Sequence, residues 1–331
     1  MAKKKTYKKS FFIEMNAQNA PKPTSMMWFV RKERPDSLPE YVVCGYEFTV
    51  DKKEDSFGIS EGFSPDLNFR KAFIPEDGHY WLSRDFSGQE LRIMANLSGE
   101  KTWIKAFLAD EDIHKATAVT IWGEENYSKE MRKAAKAINF GLLYGTGARS
   151  LSEQLDISEK EAQTYIDKFF EKLPEIKRFL NMCEYKARKN HEIDNIFGRK
   201  RRLGSYITPL GELMNSGKRK SYNFPIQSMG AEVTKLAIIK IYRNLVNNEK
   251  YKDLVYFMNT IHDEINLSVH KDYIKEVAFE MGKSMLFKLD DWPVPIITGL
   301  EIGNSMGLTW KFKQDEETLE LTPEYEPLEE E

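Results

Sequence analysis

The chain has 331 residues, 41% hydrophobic and 12% aromatic, enough for one large interrupted domain or for two or more packed units. Its two cysteines, Cys44 and Cys183, exclude a disulfide framework and a cysteine-rich zinc cluster, and they fit a reducing compartment. The formal net charge of −3 hides an uneven distribution: nine acidic and no basic residues lie between Asp315 and Glu331, and without them residues 1–314 carry +6. A mildly basic body with a disordered acidic tail is therefore expected.

At the N-terminus, Lys3, Lys4, Lys5, Lys8 and Lys9 are followed by only Phe11, Phe12 and Ile13 as an apolar run. That is too short for a signal peptide, and no run approaches the roughly 18–20 apolar residues of a membrane span. A soluble intracellular protein with no membrane partner is expected. Pro21, Pro23, Pro35 and Pro39 break residues 1–55, where only Tyr41–Val50 reads as one or two strands. Residues 56–78 read as loop.

From Tyr80 to Phe86 a short hydrophobic strand ends in Asp85, and Ser87–Met94 then has helical character with Ser87 as N-cap. Asp85 at a strand end is well placed to display a ligand, although an Asp there is more often turn or cap chemistry. Residues 98–203 read as almost entirely helical. Asp112-Ile113-His114 opens one helix, and Ser158-Glu159-Lys160-Glu161 is a capping box. The amphipathic stretch from Tyr165 to Lys189 should end or kink at Pro174.

Within this helical region Arg132, Lys136, Phe140 and Tyr144 recur every four residues. On a helix they form one slowly drifting stripe, two cations followed by two aromatics. Such a stripe suits a nucleotide, with cations for phosphates and rings for a base. An ordinary amphipathic helix with a solvated basic end accounts for it equally well in isolation.

Gly198-Arg199-Lys200-Arg201-Arg202 closes the region as a basic cluster, either a solvated loop or a phosphate contact. Lys218–Gln227 then leads into a helix at Ala231–Leu245. Val255–Ile261 and Glu264–Val269 form a hairpin joined around His262-Asp263. Ile265, Leu267 and Val269 alternate with Asn266, Ser268 and His270, the period of a half-buried strand. Pro293–Glu301 suggests a final strand.

Each piece is weak alone, but their order is specific. An Asp ending a strand before Ser-x-x-Glu, then Arg-x3-Lys-x3-Phe-x3-Tyr-Gly, then His-Asp-Glu in a hairpin resembles the family A DNA polymerases. Asp85–Gly99 is similar to their motif A, Arg132–Gly145 to motif B and Ile261–Val269 to motif C. The resemblance covers about residues 67–310. It departs from the family at Asp-Phe-Ser-Gly-Gln-Glu, where Asp-Tyr-Ser-Gln-Ile-Glu is usual, and Ser64–Arg70 is only a shortened counterpart of the preceding motif.

The resemblance implies an α+β right-hand polymerase core. The palm would be an antiparallel sheet with helices, built from 54–97 and 204–313, with helical fingers at 98–203 inserted. Residues 1–53 would be a docking segment and 314–331 the tail. The implied activity is DNA-directed DNA synthesis with two Mg²⁺ ions held by Asp85, Asp263 and the Phe86 carbonyl, with Glu264 as a helper. Arg132, Lys136 and His114 would grip the triphosphate, with Lys136 protonating the leaving pyrophosphate. Phe140 would stack on the incoming nucleotide and Tyr144 at the template position, while Glu90 would exclude a 2′-hydroxyl. Arg219, Asn223, Gln227 and His262 would hold primer–template DNA. Only 84 residues precede Asp85, so a separate chain supplying a thumb or a 3′–5′ exonuclease is expected. A phage-like origin and a cytoplasmic location, that of the host, complete the expectation. A single-subunit RNA polymerase and an inactive structural subunit are the alternatives.

Overall fold

The computed structural model describes residues 5–10, 45–50 and 69–324. The expectations for residues 41–44, 56–68 and 325–331, and for most of the docking segment 1–53, lie outside these residues. The chain divides into two units. One comprises Met1–Asp85, Tyr242–Met281 and Gly299–Glu331, and the other Phe86–Ile241 and Gly282–Thr298.

The first unit contains β1 (Lys5–Ser10) paired antiparallel with β2 (Gly45–Val50). Its main element is a six-stranded antiparallel sheet made of β3 (His79–Asp85), β6 (Val255–Ile261), β7 (Glu264–His270), β8 (Leu300–Ser305), β9 (Leu308–Gln314) and β10 (Leu321–Pro323), in the order β10-β9-β8-β3-β7-β6. The predicted hairpin is present, with His262 and Asp263 as its two-residue turn and His262 at φ 56°.

β7 is not half-buried. Asn266 and Ser268, expected to face solvent, are as completely buried as Ile265, Leu267 and Val269. The strand lies between β3 and β6, and the segment before β3 covers its second face, with the Glu76 amide donating to Ser268 Oγ at 3.0 Å. Asn266 survives burial because all its polar groups are used. It accepts from Trp81 Nε1 at 2.8 Å and donates to Asn259 Oδ1 and Glu264 Oε1, both at 2.9 Å.

Two further expectations fail here. The strand expected at Pro293–Glu301 begins only at Leu300, and two more strands follow it. The acidic tail is ordered as far as residue 324: β10 pairs with β9, and Asp315 Oδ1 accepts from the amides of Glu317 and Thr318 to shape the intervening turn.

The second unit is mostly helical. Its helices are α1 (Gln89–Ser98), α2 (Lys101–Leu108), α3 (Ile113–Trp122), α4 (Lys129–Leu143), α5 (Ala148–Leu155), α6 (Glu159–Lys172), α7 (Pro174–Asn190) and α8 (Asn215–Ile241), with a small hairpin of β4 (Glu192–Asp194) and β5 (Lys200–Arg202). Trp103, Ile138, Leu151, Phe169, Leu173 and Ile176 fill its core. The local signals act as expected at three helix starts. Asp112 Oδ1 caps α3, Ser158 Oγ caps α6 through the Glu161 amide, and Pro174 separates α6 from α7 by occupying the first turn of the latter.

Ser87 is not the N-cap of α1. That position is Gly88, in the left-handed region at φ 60°, and the Ser87 backbone instead accepts from Arg92 Nε at 2.8 Å. Nor does a helix begin at Ala231. α8 starts at Asn215 and runs through Pro225 without a break. Gly217, Ser221, Pro225, Met229, Val233, Ala237 and Ile241 are all buried, a stripe at four-residue spacing. The proline sits on that stripe, where packing outweighs its missing amide hydrogen bond. After α8, a π-helical turn covers Tyr242–Val246. α9 (Ile274–Met285) connects the hairpin to the last strands. Antiparallel sheet and helices together make the fold α+β, as expected. No helix among the described residues is long and apolar enough to cross a membrane.

Candidate active site

Asp85 and Asp263 are 178 positions apart, and strand register brings them together. β3 and β7 pair antiparallel with Asp85 directly opposite Glu264, and Asp263 is the neighbouring residue in the hairpin turn. The other flank of β3 pairs Ser83 with Glu301 of β8, and Glu301 in turn pairs with Lys311 of β9. Glu264 Oε1 accepts from Ser83 Oγ at 3.0 Å as well as from Asn266, and Glu301 Oε2 accepts from Thr309 Oγ1 at 2.7 Å.

These carboxylates act on one another. Burial, and then repulsion by Asp263, Glu264 and Glu301, push the Asp85 carboxyl up to about 7, against the pull of Lys311. Asp85 is exposed as a residue, so solvent tempers this rise. Burial also raises Asp263, opposed by His262 and by its hydrogen bond with Asp85. A set of mutually repelling oxygen donors fits a hard divalent cation such as Mg²⁺. Among the described residues no three His, Cys, Asp or Glu side chains converge as an ion cage, so further ligands would have to come from water or substrate. Glu301 and Lys311 were missed in the sequence, since their place follows only from strand register.

In the helical unit α4 carries the predicted stripe. Ser128 Oγ caps the helix through the Met131 amide, and Ala134, Ala135, Ala137, Ile138 and Leu142 turn inward. Arg132 binds Asp112 Oδ2 through Nε at 2.8 Å and Nη2 at 2.5 Å. Asp112 Oδ1 meanwhile accepts from the His114 and Lys115 amides at the start of α3. The His114 ring packs on Phe140 with centroids 5.6 Å apart. Its Nδ1 lies 3.1 Å from Asn139 Nδ2. Burial, with Arg132 and Lys136 adding to it and Asp112 opposing, lowers the His114 imidazole to about 4. Lys136 is exposed. Sequence reading placed Asp112 only at the opening of a helix and gave Asn139 no role.

Tyr144 ends the stripe, and its Oη donates to Glu90 Oε2 of α1 at 2.5 Å. It also lines a cavity of ≈ 330 Å³ with Arg201, Arg219, Lys220, Asn223 and Gln227, which gathers three of the four proposed DNA-holding residues. The fourth, His262, is on the hairpin turn of the sheet unit. Gly145, at φ 68°, lets the chain pass Arg219, whose Cγ would lie 2.5 Å from a Cβ there. In the basic cluster Arg199 pairs with Glu232 and Lys200 with Glu192, so Arg201 is the member that faces the cavity. Phe86 is buried and bridges to Thr298.

The sheet unit thus carries a cluster of carboxylates, and the helical unit carries a helix with a cationic-aromatic stripe. Residues 62–308 match the profile of DNA polymerase family A. The chain is 34% identical over 247 residues to DNA polymerase I of Caldicellulosiruptor bescii, covering 73% of this chain and 28% of that protein. It is 31% identical over 243 residues to the thermostable DNA polymerase I of Thermus aquaticus, again covering 73% of this chain and 28% of that one. Among solved structures, the POL domain of Pol1 from M. smegmatis in complex with DNA primer-template and dNTP aligns with a TM-score of 0.66 and 26% identity. That match covers 75% of this chain and 44% of the other. The chain therefore belongs to DNA polymerase family A, and it spans just over a quarter of the length of these curated relatives.

Proposed function

We propose that this chain catalyses template-directed addition of deoxynucleotides to a primer 3′ end. The observation that carries the reading is the register that sets Asp85 opposite Glu264 and beside Asp263. Bound there by Asp85, Asp263 and the Phe86 carbonyl, two Mg²⁺ ions would activate the 3′-hydroxyl and neutralise the leaving pyrophosphate. Glu264, held by Ser83 and Asn266, is the helper beside them.

The α4 stripe supports the nucleotide half of the reading. Arg132 and Lys136 bind the triphosphate with His114, and Lys136, which is exposed, donates the proton to pyrophosphate. Phe140 stacks on the incoming base, and Tyr144 stacks at the template position. Catalysis requires these groups and the sheet carboxylates to act on one nucleotide. The Glu90–Tyr144 hydrogen bond favours a deoxyribose substrate: it fixes a carboxylate against an aromatic ring where a 2′-hydroxyl would have to fit. Arg219, Asn223, Gln227 and His262 hold the primer–template through groove and phosphate contacts.

We assign residues 54–97 and 204–313 to the palm and 98–203 to the fingers on the family's pattern. Primer extension with Mg²⁺ and either deoxy- or ribonucleotides tests the main reading. Extension with deoxynucleotides is expected, whereas ribonucleotide extension favours an RNA polymerase and no extension an inactive subunit.

A further inference from the structure

We infer that Asn139 is a positioning residue that fixes the tautomer of His114, so that His114 offers the triphosphate a neutral Nε2–H donor. The inference rests on the reading above that His114 touches the nucleotide.

The Thr117 hydroxyl donates to the Ile113 carbonyl at 2.8 Å and accepts from Trp103 Nε1 at 3.2 Å. One lone pair remains, and Asn139 faces it at 3.2 Å, so Asn139 must present its nitrogen there. The same nitrogen lies 3.1 Å from His114 Nδ1. Nδ1 is therefore the acceptor, and the ring proton resides on Nε2.

The opposite amide orientation is worse. It would set the Asn139 oxygen against the Thr117 oxygen and leave the amide N–H₂ where Oδ1 now sits. Oδ1 has no hydrogen-bond partner there, and one unsatisfied acceptor costs less than two unsatisfied donors. Asn139 is almost completely buried, and the packing of Phe140 on the imidazole restricts the other side of the ring.

Burial is the main reason the His114 ring stays neutral, and the charged groups around it act in both directions. Arg132 and Lys136 on α4 disfavour a third cation, and Asp112 at the start of α3, which favours one, is already committed to Arg132. The triphosphate charge then falls to Arg132 and Lys136, while His114 contributes direction. Nucleotide binding should show no histidine limb between about pH 6 and 8, where an ordinary imidazole titrates.

The test compares His114→Gln, whose amide nitrogen reaches the Nε2 position, with His114→Asn, whose amide nitrogen replaces Nδ1. His114→Gln should keep the KM for a deoxynucleotide within about threefold, and His114→Asn should raise it about tenfold, the worth of a hydrogen bond to a charged group. Asn139→Leu should raise KM about tenfold in the wild-type background and less than about twofold in His114→Gln, which has no tautomer to set, with kcat changing less throughout. Asn139→Met replaces it if Asn139→Leu does not fold.

Nitrogen NMR of histidine-labelled protein, without nucleotide, should show the Nε2–H form in the wild type and a mixture in Asn139→Leu. Equal KM increases in both backgrounds, or an Nδ1–H ring in the wild type, overturn the inference. If His114→Gln, His114→Asn and His114→Ala all leave KM unchanged, the nucleotide contact itself is wrong. The NMR tautomer then still decides what Asn139 does.

Discussion

Replacing Thr117 by valine keeps the shape of the side chain and removes its hydroxyl. Thr117 is fully buried, and so is Trp103, whose Nε1 has Thr117 Oγ1 as its acceptor at 3.2 Å. The substitution leaves that indole N–H without a partner and removes one of the two acceptors of Asn139 Nδ2. An unsatisfied buried donor costs about 1–3 kcal/mol, and the half-deprived amide adds a fraction of that. Burying the new methyl group returns up to about 0.8 kcal/mol. The net loss is about 1–3 kcal/mol, or roughly 2–10 °C in the melting temperature of a unit this size. Thr120→Val is the control, because the Thr120 hydroxyl only donates, to the Ala116 carbonyl at 2.7 Å, and orphans no donor when removed. Urea unfolding should show a lower midpoint at unchanged slope for Thr117→Val and a shift below about 0.5 kcal/mol for Thr120→Val. Equal shifts in the two variants would refute the network on which the His114 tautomer depends.

Three other outcomes follow from named contacts. Glu90→Ala, which removes the carboxylate bound by Tyr144, should raise ribonucleotide relative to deoxyribonucleotide incorporation, and unchanged kcat/KM ratios for the two sugars remove Glu90 from that role. The folded state holds His114 near 4, below its ordinary 6.5, so its contribution is intact above about pH 6.5 and is lost as pH falls toward 4. Between pH 7 and 5 the wild type should lose about 1–2 kcal/mol relative to His114→Gln, after allowing for partial exposure, and parallel stability curves contradict the burial argument. Gly145→Ala forces a left-handed φ on alanine, at about 1–2 kcal/mol, and pushes on Arg219. Primer–template affinity measured by anisotropy should fall several-fold, and an unchanged Kd argues against Arg219 as a DNA contact.

How much could be read from the chain depended on how local each signal was. The helix opening at Asp112, the Ser158 cap, the break at Pro174 and the 255–270 hairpin are written in adjacent residues and appear where expected. The start of α8 was misplaced because Pro225 and the polar run before it read as a break. The buried four-residue stripe that carries the helix through them becomes decisive only when its neighbours are in place. Asn266 and Ser268 look like solvent-facing residues until β3 and β6 flank their strand and polar partners satisfy them. Glu301 and Lys311 carry no motif at all and reach the Asp85 cluster only through the β3–β8–β9 ladder. The α4 stripe was legible, but the partners that orient it, Asp112 for Arg132 and Asn139 for His114, come from tertiary packing of α3 on α4.

The central claim is that the Asp85–Asp263 pair performs the chemistry and leaves DNA binding to other groups. Single-turnover primer extension by Asp263→Ala, set beside its primer–template Kd, tests this most directly. We expect extension to fall by at least about a thousandfold with Kd within about threefold of wild type, since affinity comes mainly from dispersed phosphate contacts. Extension near the wild-type rate would contradict the assignment.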